Sequence, residues 1–326
     1  MNLDQWGFTH WFDRVPSEEQ AHLPTESNSF GRITGVHRKL IDLQTAAGFE
    51  TVDFQVANKA LQVTVGDWVV LDTQPDKNLT ITTVCFRTSL LSRIASGPRK
   101  TLQPLASNVD HVFILAAMDR TFNVARMERF LAAAWASGIE PVLVLTRADL
   151  VDTAEPYEEA LRAVALDTPI ITINAHDANT IELLRPFLAP NYTNTMIGLS
   201  GAGKSTLTNT LAGDTVMTTQ PVRAFDDKGR HTTTRRQMIK LTADRGLLID
   251  SPGVREMQIY YDAETISRVF YRIEEASMHC KYSNCRHDSE GDCAIKLRAG
   301  EDAEFKLNFE KYRTVKRMAV SPIPDY

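Results

Sequence analysis

The chain has 326 residues, of which 43% are hydrophobic and 24% charged, and a formal net charge of −5 at pH 7. This length accommodates two or three domains, and the composition is typical of a globular protein. The net charge argues against binding nucleic acid through overall charge, although a local basic face remains compatible with it. Residues 1–4 lack a basic region, and the apolar run 112–118 is too short to cross a bilayer, so we expect neither a secretory signal nor a membrane span.

Three of the four cysteines lie between 280 and 293, and Cys85 stands alone. This distribution does not form a disulfide framework, and it is typical of a metal site in a reducing cytoplasm. We therefore expect a cytoplasmic protein. We further expect a monomer that has no membrane contact.

Residues 1–29 form an N-terminal arm that is rich in aromatic side chains. Trp6, Phe8, Trp11 and Phe12 lie close together and are followed by a polar stretch with two prolines. The pattern predicts a short helix or arm that either docks on a partner or packs on its own domain.

Residues 30–97 change to short alternating segments separated by Gly, Asn, Asp and Pro. The predicted strands are Gly31–Val36, Thr51–Val56, Trp68–Leu71 and Thr80–Val84. We expect an all-β OB-fold barrel, a class that often binds single-stranded nucleic acid. Basic residues at its exit either supply charge for such binding or form a solvated linker; they are Arg87, Arg93, Arg99 and Lys100.

Residues 105–260 alternate between apolar strands and helical spacing, which predicts a parallel sheet with helices on both faces. The predicted strands are His111–Ala117, Val142–Leu145, Ile170–Ile173, Thr193–Ile197 and Leu247–Asp250. Because the first of these is continuously apolar, we expect it to be buried on both faces.

The stretch from Gly198 to Thr206 fits the phosphate-loop template G-x-x-x-x-G-K-[ST], between a predicted strand and a predicted helix. Glycines let backbone N–H groups turn toward phosphate oxygens, and the helix N-terminus adds partial positive charge. Lys204 is placed to reach the outer phosphates and Ser205 to bind Mg²⁺. The alternative is a glycine-rich turn. The predicted phosphate-binding residues are Gly198, Ser200, Gly201, Ala202, Gly203, Lys204, Ser205 and Thr206.

Thr146-Arg147-Ala148-Asp149 follows the second strand and resembles the guanine-reading Asn-Lys-x-Asp of GTPases. The Asp149 carboxylate can accept two N–H bonds from guanine, which adenine cannot offer. Thr146 stands for Asn and Arg147 for Lys, so we expect a preference for guanine of uncertain strength. Asn174-Ala175 after the third strand resembles the Ser-Ala element that meets the guanine carbonyl. The alternative is an exposed aspartate at a strand end.

Two further elements follow the phosphate loop. Asp250 and Gly253 form D-x-x-G after a buried strand, where they are placed to hold Mg²⁺ through water and to contact the γ-phosphate. Thr233 and Thr234 are candidates for the Mg²⁺ shell, and we favour Thr234.

The order of these elements differs from that in an ordinary GTPase, where the phosphate loop comes first and the guanine-reading motif last, because here Asp149 precedes Gly198. The fold is kept only if the chain is circularly permuted. We therefore predict an α/β P-loop GTPase domain, circularly permuted, between an all-β OB-fold barrel and a mainly helical, zinc-binding C-terminal domain at 261–326.

The C-terminal region carries the spacing C-x4-C-x-H-x5-C, formed by Cys280, Cys285, His287 and Cys293. Three thiolates and one imidazole predict a closed, structural zinc site, with His279 as an alternative ligand. Basic residues around it form either an RNA-facing surface or a solvated helix face. They are Arg286, Lys296, Arg298, Lys306, Lys311, Arg313, Lys316 and Arg317.

With these motifs in place, residues 30–318 resemble the circularly permuted GTPases of the RsgA (YjeQ) family. The resemblance implies GTP, Mg²⁺ and one Zn²⁺ as cofactors, and the small ribosomal subunit and rRNA as partners. It implies late maturation of that subunit, with hydrolysis stimulated by it. Val254 stands where many GTPases carry a water-orienting Gln, and the resemblance points to His231 as the catalytic group beside Lys204.

Three other functions remain open. The chain could be an RNA-binding module that uses GTP as a conformational ligand, a divergent paralogue with another RNA partner, or a P-loop kinase or ATPase. His231 could be an RNA contact only.

Overall fold

The computed structural model describes residues 3–26, 29–53, 61–72, 79–94, 102–177, 179–213, 236–250 and 263–319. The strands are β1 (Phe30–Val36), β2 (Leu40–Thr45), β3 (Phe49–Asp53), β4 (Trp68–Asp72), β5 (Thr80–Val84), β6 (Leu90–Ile94), β7 (Leu102–Ser107), β8 (His111–Ala117), β9 (Glu140–Thr146), β10 (Ile170–Thr172), β11 (Thr193–Gly198), β12 (Arg236–Lys240) and β13 (Leu247–Asp250). The α-helices are α1 (Phe8–Phe12), α2 (Ser17–Gln20), α3 (Val124–Ala136), α4 (Glu155–Ala165), α5 (Asn179–Leu184), α6 (Lys204–Ala212), α7 (Ala263–Val269), α8 (Tyr271–Ser277), α9 (Ala294–Glu301) and α10 (Ala303–Ala319). Short 3₁₀ turns cover Leu3–Trp6, Ala148–Leu150 and Arg185–Phe187.

A parallel sheet forms the centre of the molecule, in the order β10, β9, β8, β11, β13, and β12 extends it antiparallel to β13. Alternate residues of β8 enter different apolar clusters. Val112 and Ile114 pack in the cluster that holds Leu131 of α3, whereas Phe113 and Leu115 pack in the cluster that includes α6. The predicted parallel sheet, buried on both faces, is confirmed.

The N-terminal strands are antiparallel: β1 pairs with β2 and β4, β2 pairs with β3, and β4 pairs with β5. Their apolar cluster includes Ile33, Leu43 and Val69. The predicted strands omit β2. Its first four residues alternate in burial, with Ile41 and Leu43 buried, as expected of a half-buried strand, but the last two residues of β2 are buried as well. Closure of these strands into a barrel stays a prediction.

One strand joins the N-terminal strands to the parallel sheet. The end of β1 pairs antiparallel with β12, with Gly35 opposite Gln237 and Val36 opposite Arg236. On its other side β12 pairs with β13, where Gln237 lies opposite Asp250. The two regions therefore belong to one continuous hydrogen-bonded sheet.

The turn before β4 packs closely on the end of β7. Gly66 adopts φ +98°, and a Cβ built on it would lie 2.1 Å from the Ser107 carbonyl oxygen, so only glycine fits. The adjacent Asp67 is fully buried and accepts hydrogen bonds from Arg87 at 2.7 Å and from the Ser107 hydroxyl at 2.6 Å. Arg87 therefore forms an internal ion pair, and it belongs neither to a solvated linker nor to an open basic groove.

The segment predicted as a possible basic linker is partly a hairpin of β6 and β7. Arg93 lies in β6, and its Nε donates a 3.0 Å hydrogen bond to Gln103 of β7. Arg99 and Lys100 lie outside the described residues.

The N-terminal arm packs on its own chain, as the second interpretation predicted. Trp11 stacks on Trp68 with 5.4 Å between ring centroids, and Phe8 lies 5.1 Å from the ring of Phe30. These contacts place α1 against β1 and β4.

Two buried charged residues connect the N-terminal arm, the N-terminal strands and the parallel sheet. Arg32 of β1 is 1% exposed and donates to Thr193 Oγ1 of β11 at 2.8 Å. Burial lowers the pKa of Arg32 to about 10, against the opposing attraction of Asp110. Asp110, just before β8, accepts hydrogen bonds from Arg14 and, at 2.8 Å, from His10 of the arm.

The C-terminal helices share an apolar core with the parallel sheet. Ile295, Phe305 and Val315 belong to the same buried cluster as α3. Ion pairs reinforce this contact, because Lys311 Nζ lies 3.1 Å from Asp167 and Arg317 pairs with Glu128 of α3. Within the described ranges no helix combines the length and hydropathy needed to cross a membrane. The domain limits 1–29, 30–97, 105–260 and 261–326 stay predictions.

Candidate nucleotide and metal sites

The phosphate-loop stretch lies at the carboxyl end of β11 and leads directly into α6. Gly198 ends β11 with φ +147°, and a Cβ on it would lie 2.5 Å from the Leu115 carbonyl oxygen of β8. Gly201 and Gly203 also have positive φ, at +82° and +91°. The backbone therefore turns through conformations that glycine adopts without strain, in the predicted strand–loop–helix context.

Lys204 is the first residue of α6, and its ammonium folds back over the loop. Its Nζ donates 2.6 Å hydrogen bonds to the carbonyl oxygens of Gly198 and Leu199. Ser200 is exposed within the loop, and Ser205 and Thr206 occupy the first turn of the helix. The loop thus combines a cation with a helix N-terminus, which together attract anions.

The motif after β9 contacts the phosphate loop directly. The Thr146 hydroxyl donates a 3.0 Å hydrogen bond to the Ala202 carbonyl oxygen, and Arg147 donates one of 2.7 Å to that of Gly201. Because β9, β8 and β11 are neighbours in a parallel sheet, their carboxyl ends share one edge. The predicted base-reading motif and the predicted phosphate loop are therefore adjacent.

Asp149 is exposed in the 3₁₀ turn that follows this motif. The segment after β10 lies beside it, because the Ala148 N–H donates to the Ile173 carbonyl at 3.2 Å. The same segment contacts the phosphate-loop helix, where the Thr210 hydroxyl donates to the Ala175 carbonyl at 2.6 Å. Asn174 folds this segment into a turn by accepting the His176 N–H at 3.1 Å. The structure thus gathers three loops of the predicted site at one edge.

Asp250 ends β13, the strand next to β11, and so lies at the same edge of the sheet. His231, Thr233, Thr234 and Gly253 lie outside the described residues.

The cysteine and histidine cluster brings four ligand atoms within 4.8 Å of one another. Cys280 Sγ lies 3.9 Å from Cys293 Sγ, and His287 Nδ1 lies 3.6 and 3.5 Å from these two sulfurs. Tetrahedral Zn²⁺, with bonds of about 2.3 Å to sulfur and about 2.0 Å to nitrogen, requires ligand separations of about 3.5–3.8 Å. Cys285 completes the group. The geometry fits a closed metal site, and the group of described residues does not include His279.

A carboxylate shapes the loop that carries His287. Glu290 accepts the backbone N–H groups of Arg286 and Asp288, each at 2.9 Å. These backbone hydrogen bonds lower the pKa of Glu290 to about 2, so it is ionised at neutral pH. His287 itself adopts φ +61°, a conformation that this loop closure supports.

Several of the basic residues near the cluster are engaged within the chain. Arg313 pairs with Asp288 at 3.4 Å and Lys316 with Glu274 at 3.7 Å, in addition to the two ion pairs that α10 makes with Asp167 and Glu128. Lys306 is exposed on the same helix. Part of the predicted basic surface thus attaches the C-terminal helix, whereas Lys306 is available to solvent.

Comparison with known proteins identifies the family. The sequence model of the RsgA GTPase family matches residues 84–260, more than half of the chain. The chain belongs to the RsgA GTPase family. The chain is 34% identical over 324 residues to the small ribosomal subunit biogenesis GTPase RsgA 2 of Lactiplantibacillus plantarum. This alignment covers 97% of this chain and 89% of that protein. It is 38% identical over 294 residues to the RsgA 2 of Vibrio vulnificus, and this alignment covers 90% of this chain and 81% of that protein.

Solved structures agree with the fold. YjeQ from Thermotoga maritima aligns with a TM-score of 0.56 and 24% identity, covering 90% of this chain and 99% of that one. YloQ, described as a circularly permuted GTPase, aligns with a TM-score of 0.54 and 22% identity, covering 93% and 100%. The circularly permuted GTPase fold predicted from motif order is confirmed. Membership of the RsgA GTPase family shows that the protein is a GTPase and implies that it binds GTP and Mg²⁺.

Sequence reasoning missed two residues that lie beside the predicted base-reading motif of this RsgA family member. Asp119 follows β8 and pairs with Arg147, Nη1 to Oδ2, at 2.5 Å. Thr121 donates two hydrogen bonds to Asp119, at 2.7 and 2.6 Å. The available signal was an Asp-x-Thr turn directly after a buried parallel strand, where ligand-binding loops begin.

Proposed function

We propose that this RsgA family member acts in biogenesis of the small ribosomal subunit and that the subunit stimulates its hydrolysis of GTP. The observation that carries the proposal is the contact of Thr146 and Arg147 with the phosphate loop, from a strand that precedes that loop in sequence. The relatives named above are described as GTPases of this process. We further propose the cytoplasm as its location, a monomeric state, and rRNA as the contacted component of the subunit.

The nucleotide would bind across the edge formed by the carboxyl ends of β9, β11 and β13. The guanine base would meet Asp149 and the Asn174-Ala175 turn, whereas the triphosphate would lie over the phosphate loop. Supporting groups are the Lys204 ammonium and the N-terminus of α6. The proposed nucleotide ligands are Thr146, Arg147, Asp149, Asn174, Ala175, Gly198, Ser200, Gly201, Ala202, Gly203, Lys204, Ser205, Thr206, Thr233, Thr234, Asp250 and Gly253.

Ser205 and Thr234 are the proposed Mg²⁺ ligands, and Asp250 would support them through water. For hydrolysis we propose Lys204 and His231 as the catalytic groups, because Val254 cannot orient a water molecule. Contact with the subunit would order the loop that carries His231.

The cluster of Cys280, Cys285, His287 and Cys293 is proposed to hold one structural Zn²⁺. Three thiolates and an imidazole leave no open coordination position, so the ion would stabilise the C-terminal helices and take no part in hydrolysis. The exposed Lys306 is a candidate for contact with RNA phosphates.

The proposal is tested by measuring phosphate release from GTP and from ATP, with and without purified small subunits. We expect release from GTP to rise at least tenfold with small subunits, with little change when large subunits are added instead. Unchanged hydrolysis, with binding to the subunit that depends on GTP, would favour an RNA-binding module that uses GTP only as a conformational ligand.

Two variants assign the residues. His231→Ala should lose the stimulated rate while it keeps nucleotide affinity, and full stimulation in this variant would remove His231 from the catalytic groups. Asp149→Asn should weaken guanine binding and favour xanthine nucleotides, because an amide offers a donor to the additional xanthine carbonyl.

A further inference from the structure

Asp119 lies between the two loops that the nucleotide would join. It follows β8, and β8 lies between β9, which carries the base-reading motif, and β11, which carries the phosphate loop. The Asp119 carboxylate therefore stands at the middle of the edge where the nucleotide is proposed to bind.

The Arg147 side chain extends from the base-reading loop to both Asp119 and the phosphate loop. Its Nη2 donates to the Gly201 carbonyl oxygen at 2.7 Å, and its Nη1 lies 2.5 Å from Asp119 Oδ2. A guanidinium presents its donors in a rigid planar fork, so two acceptors at different positions fix the plane of the group as well as its place. A lysine ammonium, as a point charge, would not be oriented in this way.

Asp119 is itself fixed from the other side. Its Oδ1 accepts the Thr121 N–H at 2.7 Å and the Thr121 hydroxyl at 2.6 Å, which leaves Oδ2 directed at the arginine. The hydrogen bond from Thr121, assisted by the charge of Arg147, holds the pKa of Asp119 below its ordinary value, so the carboxylate is ionised at neutral pH.

Arg147 needs such support because its backbone is strained. It adopts φ +67°, a left-handed conformation that non-glycine residues rarely occupy. The two side-chain contacts stabilise this conformation and place the start of the 3₁₀ turn that carries Asp149.

We propose that Asp119 is a positioning residue for nucleotide binding, which holds the Arg147 guanidinium in the plane that connects the base-reading loop to the phosphate loop. The inference rests on the proposed nucleotide site and adds to it the group that compensates for arginine at a position where GTPases carry lysine. Asp119 acts through Arg147 and does not contact the nucleotide.

The test is a double-mutant cycle on the full-length protein, with the dissociation rate of a fluorescent GDP analogue as the readout. Asp119→Asn keeps the shape of the side chain and removes its charge, and we expect GDP to dissociate three- to tenfold faster. In an Arg147→Ala background the same change should alter the rate by less than about 1.5-fold, because the partner is already absent.

Two further variants separate positioning from local structure. Thr121→Ala removes one hydrogen bond to Asp119 but keeps the carboxylate, and it should change the rate less than Asp119→Asn does. In an Arg147→Lys background, Asp119→Asn should change the GDP dissociation rate by a smaller factor than it does in the wild-type protein. If Asp119→Asn folds poorly, Asp119→Ser replaces it in the same cycle, because it also removes the charge. Asp119→Glu retains the charge, and we expect it to keep most of the wild-type rate.

Equal effects of Asp119→Asn in the wild-type and Arg147→Ala backgrounds would overturn the proposal, as would the absence of any effect in the wild type. A failure of the underlying nucleotide site would be distinct from both, because wild-type protein would then bind ADP as tightly as GDP and Asp149→Asn would change neither affinity.

Discussion

Thr146 and Ala202 lie 56 residues apart in sequence and are joined by a 3.0 Å hydrogen bond from the Thr146 hydroxyl to the Ala202 carbonyl oxygen. This bond connects the base-reading motif to the phosphate loop inside a buried part of the molecule. An asparagine usually stands at this position in GTPases, and here a shorter hydroxyl side chain makes the connection.

Removal of this bond should loosen nucleotide binding. Thr146→Val keeps the shape of the side chain but leaves a carbonyl without its donor, which costs about 1 kcal/mol. We expect GDP dissociation to accelerate about fivefold. The matched control is Thr168→Val, since the buried Thr168 hydroxyl has no hydrogen-bond partner among the described residues, and this change should leave the rate unaltered.

The contact of the N-terminal arm should depend on pH through Asp110. Burial alone would raise the pKa of Asp110, but hydrogen bonds from His10 and Thr193 and the charge of Arg14 hold it below its ordinary value. A carboxyl whose pKa is lowered on folding contributes stability above its unfolded pKa of about 3.9, and this contribution is lost as pH falls through the folded pKa.

Asp110→Asn should therefore reduce the free energy of unfolding by about 1–3 kcal/mol at pH 7. The difference from wild type should shrink as the pH falls below about 4, in denaturant titrations at several pH values. Glu18→Gln, on the exposed side of the same arm, should show no such difference. A difference between Asp110→Asn and wild type that is constant from pH 7 to pH 3 would contradict the role of the carboxylate.

Two glycines should respond to alanine in opposite directions. Gly66→Ala places a methyl group 2.1 Å from the Ser107 carbonyl at φ +98°, and we expect a loss of more than about 2 kcal/mol in unfolding free energy. Gly300 lies in α9 with no atom near the position of a Cβ, so Gly300→Ala should stabilise the protein by about 0.5 kcal/mol. Thermal and urea unfolding of the two variants measures both effects.

Removal of the metal should destabilise α9 and the central sheet as well as the loop that carries the ligands. Because Cys293 and Ile295 belong to the apolar cluster that includes α3, loss of the ion should loosen α9 and lower the unfolding temperature of the central sheet. Elemental analysis should find one zinc ion per chain in the wild type and none in Cys293→Ser. Cys85→Ala, which removes a thiol outside the cluster, should retain the ion.

The elements that could be predicted are those whose sequence signals lie within a few neighbouring residues. The phosphate loop and the strands β8, β9 and β11 were predicted because glycine positions and apolar periodicity act over a few residues. The contact between the base-reading motif and the phosphate loop, made by Thr146 and Arg147, was expected from the motif order, which required a permuted fold. The cysteine spacing predicted the cluster for the same local reason.

The features that were missed depend on contacts between distant residues. Arg32, Asp67 and Asp110 read as ordinary charged residues in the sequence, and only the folded chain shows that each is buried with its partners. The Asp119–Arg147 pair joins the ends of two strands, and no periodicity reveals it. The basic residues of α10 were ambiguous, because clustering of charge does not distinguish internal ion pairs from an open surface.

The shared ladder between β1 and β12 has a mechanical consequence. β12 begins at Arg236, directly after the segment that contains His231 and Thr234, and its neighbour β13 ends at Asp250. Because β12 has backbone pairing on both sides, it holds β1 and β13 together, and a displacement of β12 would be transmitted to both of these neighbours. The N-terminal strands are thus coupled mechanically to the strand that ends at Asp250.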